Sequence, residues 1–188
     1  MEPYIPSISH IVCMDRKGVI GYNNAMPWHI PEELKYFKKI TANSIVIMGN
    51  NTYKSIGKPL AKRVNIIVSR TEEPITEETF FRVDSIEEAF VVAEYIASEE
   101  SRDIFVIGGS SIYEQTFQLV DTLYISVIDI NLQHHYKHAM HSADFVYYPI
   151  PESIDDFEMI SEQALHTTQE VRNVKVLKYN RIKNKVSF

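Results

Sequence analysis

Glu33 has the clearest potential for chemistry in this sequence, because it is a carboxylate on the apolar side of a predicted helix. Pro31 suits a first helical position, and the helix dipole favours the negative charges of Glu32 and Glu33 just after it. At about 100° per residue, Glu33 falls on the apolar stripe and Glu32 falls opposite. A carboxylate on a buried stripe loses hydration, which raises its pKa unless hydrogen-bond donors meet it. Two interpretations stay open: a helix charge beside the core, and the acid of a reaction site.

Two junctions between a predicted strand and a predicted helix could hold an anionic ligand. At Gly108 and Gly109, the missing side chains would let a ligand approach the backbone and its N–H groups. At Gly49, the following Asn50 and Asn51 could cap the helix or contact a phosphate. Each junction alone is also typical of a tight turn or an ordinary cap. Together they suggest a dinucleotide.

Arg63 ends a basic turn at residues 58–63 and directly precedes a predicted strand. Its guanidinium can bind a carboxylate through two parallel hydrogen bonds, whereas an arginine beside a turn is commonly just solvated. The local sequence leaves both interpretations open.

Four histidines lie within residues 131–145, where their spacing could place imidazoles on one helical face and bind a metal. They are His134, His135, His138 and His141. No acid or cysteine completes a clear site, so a solvated loop is the favoured interpretation and no metal is expected. His10 and His29 are interpreted as structural.

Composition narrows the class of function. The chain has 188 residues and a net charge of −6, so nothing draws it generally to nucleic acid or to anionic lipid. The lone Cys13 excludes a disulfide framework and a zinc spacing. Because no long apolar segment or signal peptide is evident, we expect a cytoplasmic protein that acts on small molecules and binds neither nucleic acid nor membrane.

Strands and helices alternate along most of the chain. Strands are predicted at residues 8–14, 45–48, 64–69, 80–83, 104–107, 123–130 and 175–182, and helices at 31–41, 50–55, 86–98 and 111–120. Residues 15–24 are predicted to form a loop punctuated by glycine. This order predicts one α/β domain over residues 1–188, with three α/β/α layers, a mostly parallel central sheet and a C-terminal antiparallel hairpin. Ligands of such sheets bind at the carboxyl ends of the strands.

Several motifs occur in a fixed order over nearly the whole chain. They are Val-Ile-Gly at 19–21, Asn-Ala-Met-Pro-Trp at 24–28, Pro-Glu-Glu-Leu at 31–34, Phe-Lys at 37–38, Val-Ile-Met-Gly at 46–49, Thr-Tyr-Lys-Ser-Ile-Gly at 52–57, Pro-Leu at 59–60, Val-Ile-Gly-Gly at 106–109 and Tyr-Glu-Gln at 113–115. In order and spacing this set closely resembles the dihydrofolate reductase family. The resemblance implies reduction of 7,8-dihydrofolate to tetrahydrofolate with NADPH, which supports one-carbon metabolism and thymidylate synthesis.

The resemblance also implies roles for residues around the substrate. Glu33 would bind the 2-amino group and N3 of the pterin and support protonation at N5 as hydride reaches C6, and Trp28 would help to hold a water there. Arg63 would bind the α-carboxylate of the glutamate tail. The remaining substrate residues that it implies are Val12, Cys13, Leu34, Phe37, Ser55, Ile56, Leu60, Ile107, Tyr113 and Ser126, the last in place of a threonine hydrogen-bonded to the acid.

Residues for NADPH follow from the same resemblance. A loop with Ile20, Gly21 and Met26 would close over the nicotinamide and exclude water. The other cofactor residues that it implies are Cys13, Gly49, Asn50, Asn51, Thr52, Ser69, Arg70, Ile107, Gly108, Gly109, Ser110, Ser111, Ile112 and Tyr113.

The sequence departs from the family at the cofactor's phosphates. Asn50 and Asn51 stand where the family commonly has an arginine and often another basic residue. An arginine that is frequent after the two glycines is also missing, with Ser110 and Ser111 in its place. Only Arg70 remains as an obvious partner for the 2′-phosphate. NADPH is therefore expected with weakened preference, and NADH or dual use is the alternative.

Dihydrofolate and antifolate diaminopyrimidines are the expected small-molecule partners, the latter pairing with Glu33, and a monomer is expected. Two other functions stay open. One is a reductase of the riboflavin pathway with the same fold, which is not expected to carry the Trp-Xaa-Xaa-Pro-Glu-Glu segment of residues 28–33. The other is a folate-binding protein that has lost turnover because it binds the cofactor weakly.

Overall fold

A computed structural model describes residues 4–23, 25–131, 144–149, 154–167 and 173–182. The first half of the chain forms β1 (Ile8–Asp15), β2 (Val19–Tyr22), α1 (Pro31–Ile40), β3 (Ile45–Gly49), α2 (Asn50–Ile56), β4 (Val64–Val68), β5 (Ile75–Thr76) and β6 (Phe80–Val83). The second half forms α3 (Ile86–Glu100), β7 (Ile104–Val106), α4 (Ser110–Thr116), a 3₁₀ turn (Phe117–Leu119), β8 (Thr122–Ile128), β9 (Phe145–Tyr147), β10 (Phe157–Leu165) and β11 (Val174–Arg181).

The central sheet has the strand order β10-β11-β8-β1-β7-β3-β4-β6-β5. The strands from β8 to β6 in this order are parallel, whereas β11 and β10 form an antiparallel hairpin at one edge and β5 is antiparallel at the other. The mostly parallel sheet with a C-terminal antiparallel hairpin is therefore confirmed.

The two faces of the sheet are covered by different helices. On β3, Ile45 and Ile47 pack in a core with residues of α3 and α4, whereas Val46 and Met48 pack with residues of α1 and α2 on the opposite face. This alternation explains why β3 is apolar throughout, since a strand covered on both sides has no solvent face. The predicted three layers are confirmed.

A gap in strand pairing, called the cleft below, lies beside β1 at the carboxyl ends of the strands. β1 pairs with β7 only over Ile8 to His10, although it continues beside β8 as far as Asp15. Beyond this point the hydroxyl of Tyr113, on α4, donates to the carbonyl of Ile11 at 2.7 Å. Connections from β1 lead to one side of the sheet and those from β7 to the other, so the cleft lies where ligands of such sheets bind.

Three expectations about elements were wrong. The loop at residues 15–24 contains β2, which pairs with β9 more than 120 residues later in the chain, beyond the reach of local periodicity. β10 was missed because most of its residues are exposed on both faces, so it lacks an apolar alternation. The helix predicted at 111–120 ends at Thr116 and continues as the 3₁₀ turn.

A buried histidine joins β1 to α4 and to the segment after β9. His10 is fully buried, its Nδ1 lies 2.8 Å from the Tyr148 hydroxyl, and its Nε2 lies 2.7 Å from the Thr116 hydroxyl. Burial, together with the charge of Arg181, lowers the pKa of His10 from 6.5 to about 3. The expectation that His10 is structural agrees with this network.

We expect His10 to make the fold sensitive to acid. Its folded-state pKa lies below its unfolded value, so the unfolded chain binds the extra proton first, and stability falls as the pH drops below about 6.5. The loss from this group between pH 7 and pH 5 should be about 2 kcal/mol. Urea unfolding of wild type and His10→Gln at both pH values measures it. Equal losses in the two proteins would contradict the assignment.

Candidate functional site

Glu33 lies in the first turn of α1 with only 4% of its surface exposed. The hydroxyl of Ser126, on β8, donates to Glu33 Oε1 at 3.0 Å. Burial raises the pKa of Glu33 from its ordinary value, and the hydrogen bond from Ser126 opposes that rise. The burial and the Ser126 contact expected for Glu33 are therefore present.

Cys13 and Trp28 lie close to this acid. Cys13 pairs in register with Ser126, and burial followed by the charge of Glu33 raises the pKa of its thiol. Trp28 is buried in the same apolar cluster as Cys13. Its indole N–H lies near enough to the thiol to lower the thiol's pKa, yet within the described residues it meets no acceptor in regular hydrogen-bonding geometry. A buried donor in this state indicates room for a water or a ligand atom.

Several apolar side chains predicted to contact the substrate lie on the α1 and α2 side of the sheet. Phe37, Ile56, Leu60 and Ile107 are partly buried and pack against one core cluster, and Leu34 is partly buried on α1. Their contact with a flat aromatic ligand stays a prediction.

Three other predicted substrate residues do not belong to this group of partly buried apolar side chains. Val12 and Tyr113 belong to the core on the opposite side of the sheet, so Val12 can reach the cleft only through its backbone. Ser55 is exposed on α2.

Arg63 is only 8% exposed and is held by the end of α1. Its Nε donates to Thr41 O and Oγ1 at 3.1 and 2.9 Å, Nη1 donates to Ala61 O at 2.8 Å, and Nη2 donates to Lys38 O at 3.1 Å. Burial lowers the pKa of this guanidinium, and no acid in the described ranges forms an ion pair with it. One N–H on each terminal nitrogen is left for a carboxylate.

The two glycine junctions meet at neighbouring strand ends. The Gly49 N–H donates to Gly108 O at 2.8 Å. A Cβ on Gly49 would lie 3.1 Å from Ile112 Cγ1, and one on Gly109 would lie 3.5 Å from Thr52 Oγ1. Gly108 has φ +105° and lies directly over the Tyr113 ring. The bare backbone formed here fits a cofactor that must approach the chain closely.

The loop predicted to cover a nicotinamide is tied to the glycine turn. Ile20 and Gly21 lie on β2, which pairs with β9. The hydroxyl of Ser110, directly after the two glycines, donates to Tyr147 O on β9 at 2.7 Å. Met26 is 45% exposed beyond β2. On α4, Ser111 is exposed and Ile112 is buried.

The outer end of the predicted cofactor site contains three charged residues that sequence reasoning missed. Ser69 is buried, whereas Asn51 and Arg70 are exposed. Asn50 contacts an ion-pair cluster of Glu72, Lys54 and Arg82. Glu72 lies in a loop, Lys54 on α2 and Arg82 on β6, so no local motif joins them. Only Lys54 belonged to a motif recognised in the sequence, the one at residues 52–57.

A metal site was the disfavoured alternative for the histidine-rich segment. His134, His135, His138 and His141 lie outside the described residues. Among the residues that are described, no group of three or more His, Cys, Asp or Glu side chains could hold a metal ion. In the same ranges, no helix is both long enough and apolar enough to cross a lipid bilayer.

Comparison with known proteins gives one consistent result. The family model described as dihydrofolate reductase matches residues 7–181. Dihydrofolate reductase type 9 of Escherichia coli is 39% identical over 130 residues, covering 68% of this chain and 73% of the relative. Dihydrofolate reductase of Buchnera aphidicola (subsp. Acyrthosiphon pisum) is 40% identical over 127 residues, covering 67% and 74%.

A solved structure agrees with this at the level of the fold. Dihydrofolate reductase from Enterococcus faecalis, complexed with NADP(H) and RAB-propyl, superposes with a TM-score of 0.78 at 21% identity, over 94% of this chain and 97% of that one.

Proposed function

This chain belongs to the dihydrofolate reductase family, and from that membership we propose that it reduces 7,8-dihydrofolate to 5,6,7,8-tetrahydrofolate with NADPH. It is then an oxidoreductase acting on a CH–NH group, and its product serves one-carbon metabolism and thymidylate synthesis. The observation that carries the proposal is the burial of Glu33 beside the cleft, next to the apolar face that α1 and α2 cover. No cation in the described ranges forms an ion pair with this acid.

Glu33 has two tasks in this proposal. Its carboxylate accepts hydrogen bonds from the 2-amino group and N3 of the pterin, and Ser126 fixes its orientation from below. Because a group at N3 cannot touch N5, the proton would reach N5 through a water. The Trp28 N–H, which meets no regular acceptor within the described residues, would help to hold that water. Burial raises the pKa of Glu33, which favours the protonated form that would supply this proton.

NADPH, when bound, supplies the hydride that reaches C6 of the pterin. The backbone at Gly49, Gly108 and Gly109 would contact the groups of NADPH that approach the protein most closely. Thr52 and Ser110 lie beside these glycines. Ile20, Gly21 and Met26 would cover the reacting end and exclude water. The enzyme thus contributes alignment, a dry pocket and the proton.

We also propose that residues 1–188 act as one domain, as a monomer and in the cytoplasm. The family match over residues 7–181 supports a single unit. The one cysteine, Cys13, suits a reducing compartment because it leaves no intramolecular disulfide to form. Antifolate diaminopyrimidines should bind by pairing with Glu33.

The test is an absorbance assay at the reduced nicotinamide band with purified protein, dihydrofolate and either NADPH or NADH. Oxidation of cofactor that depends on dihydrofolate supports the proposal. If the protein binds dihydrofolate and oxidises neither cofactor, the alternative of a folate-binding protein without turnover, which Asn50 and Asn51 keep open, replaces it.

Arg63→Lys should weaken binding of dihydrofolate through its glutamate tail. Lysine keeps the charge but loses the fork that meets a carboxylate with two hydrogen bonds. Loss of one charge-assisted contact corresponds to a rise in KM of about 10-fold or more, with kcat little changed. Steady-state kinetics should compare dihydrofolate with a reduced pterin that lacks the glutamate. An equal loss for both substrates would indicate damage to the fold instead of a lost tail contact.

A further inference from the structure

Glu72 is a carboxylate that already holds two cations and an amide next to the predicted cofactor site. Its Oε1 accepts a hydrogen bond from Asn50 Nδ2 at 2.8 Å and lies 2.8 Å from Lys54 Nζ. Its Oε2 lies 3.3 Å from Arg82 Nη2. The Lys54 contact is the main cause that holds the pKa of Glu72 below its usual range, so the group is negatively charged at neutral pH.

Two residues of this cluster, and Ser69 at the end of the neighbouring strand β4, each have a buried polar atom that meets no hydrogen-bond partner in the described ranges. These atoms are Asn50 Oδ1, Ser69 Oγ and Arg82 Nε. Ser69 is only 5% exposed and directly follows β4, as Asn50 directly follows β3, and the last residues of these strands, Gly49 and Val68, are paired. Buried polar atoms are nearly always satisfied, so several orphans at one place indicate a polar ligand.

The strand order tells which part of a dinucleotide would reach these atoms, if the proposed function holds. The order β1-β7-β3-β4 runs from the cleft that contains Glu33, through Gly108 and Gly109 after β7, to Asn50 and Ser69 after β3 and β4. Adjacent strands lie about 4.8 Å apart. A cofactor with its reacting end at β1 and its pyrophosphate at the two glycines therefore has its adenosine ribose at the β3–β4 edge.

NADPH and NADH differ only in a phosphate at the 2′ position of that ribose. A phosphate requires cations, and Lys54 and Arg82 are cations that Glu72 already engages. A ribose hydroxyl, in contrast, can donate a hydrogen bond to a carboxylate, which is how acidic residues select NADH in other dinucleotide folds. Asn50 and Asn51 add no charge, and exposed Arg70 is left as a cation that has no ion-pair partner in the described ranges.

We propose that Glu72 sets the cofactor selectivity of this protein, by occupying Lys54 and Arg82 so that the 2′-phosphate of NADPH gains little and NADH binds as a second usable cofactor. Arg82 is the more buried of the two cations. Its side chain is 13% exposed whereas that of Lys54 is 63% exposed, and exposed ion pairs contribute little.

The test measures dissociation constants of NADPH and NADH by isothermal titration calorimetry for wild type, Glu72→Gln and Glu73→Gln. Glutamine at position 72 keeps an acceptor for Asn50 but releases both cations. NADPH should then bind about 10-fold more tightly, whereas NADH should bind no more tightly than to wild type. Glu73→Gln removes the same charge at the adjacent, exposed position and should leave the ratio of the two constants near the wild-type value.

The outcomes separate this inference from the proposed function. If both cofactors bind but Glu72→Gln changes the ratio no more than Glu73→Gln does, the role of Glu72 is overturned and the proposed function stands. If neither cofactor binds to any of the proteins, both are overturned. If Glu72→Gln binds NADPH more tightly than wild type and this difference decreases with added salt, the inference is supported. The freed cations are partly exposed, so dissolved ions screen them.

Discussion

Replacing Glu33 by glutamine is expected to lower kcat for dihydrofolate reduction by a factor of about 10²–10⁴ at neutral pH. Glutamine keeps the size of the side chain and an oxygen that can accept from Ser126, but it cannot take up or release a proton. Its NH₂ group would also face donors of the pterin. The loss therefore concerns chemistry and substrate orientation more than folding.

The pH dependence distinguishes a proton-supplying acid from a structural one. Burial raises the pKa of Glu33, so the wild-type rate should fall as the pH rises through that shifted pKa. Ser126→Ala removes a donor that favours the charged form, which raises the pKa further and moves the falling limb to higher pH. Glu33→Gln should lack this limb altogether.

Glu32→Gln provides the matched control, since it removes one charge from the same helical turn. Its rate and pH profile should stay near those of wild type. A Glu33→Gln variant that retains both the rate and the limb would remove Glu33 from the reaction and leave it as a buried helix charge.

Gly108→Ala is expected to lower the free energy of unfolding by about 2–5 kcal/mol and to abolish tight cofactor binding. Gly108 has φ +105°, where a residue with a Cβ is strained. The new Cβ would also lie 2.9 Å from Cε2 and 3.1 Å from Cζ of Tyr113. That ring cannot move easily, because it is buried and its hydroxyl is hydrogen-bonded to Ile11 O.

Gly57→Ala separates the two causes of this loss. Gly57 has φ +80° at the end of α2, but a Cβ there would meet nothing within 4 Å, so it reports backbone strain without a clash. Urea unfolding should give a loss of about 1 kcal/mol for Gly57→Ala and a clearly larger one for Gly108→Ala. Equal losses would mean that the Tyr113 ring gives way and that packing under the glycine turn is loose.

The parts of the site that local sequence could predict are those that depend on one element. The position of Glu33 follows from the helical period of α1. The two glycine junctions follow from apolar strands that end at a glycine or shortly before one. Ser126 as the partner of Glu33 came from the family resemblance, because 93 residues separate the two in the chain. No periodicity carries information over that distance.

What could not be predicted depends on pairs of distant elements. Glu72 meets Asn50 and Arg82 only because the loop after β4 folds back over α2 and β6. Arg63 was expected to bind a ligand carboxylate, yet its anchoring by Thr41 required knowing where α1 ends relative to β4. Charged side chains leave no periodic signal, so such clusters emerge only from the assembled fold.

The place of β1 at the centre of the sheet also determines when this protein can fold. Both neighbours of β1 in the sheet are synthesised late, since its partners begin at Ile104 and Thr122. At about 5–20 residues per second, a ribosome needs about 5–20 s after synthesising β1 to reach the first of these partners. During that time the apolar residues of the first strand lack both of their neighbours in the sheet, and exposed hydrophobic surface of this kind makes a nascent chain prone to aggregation.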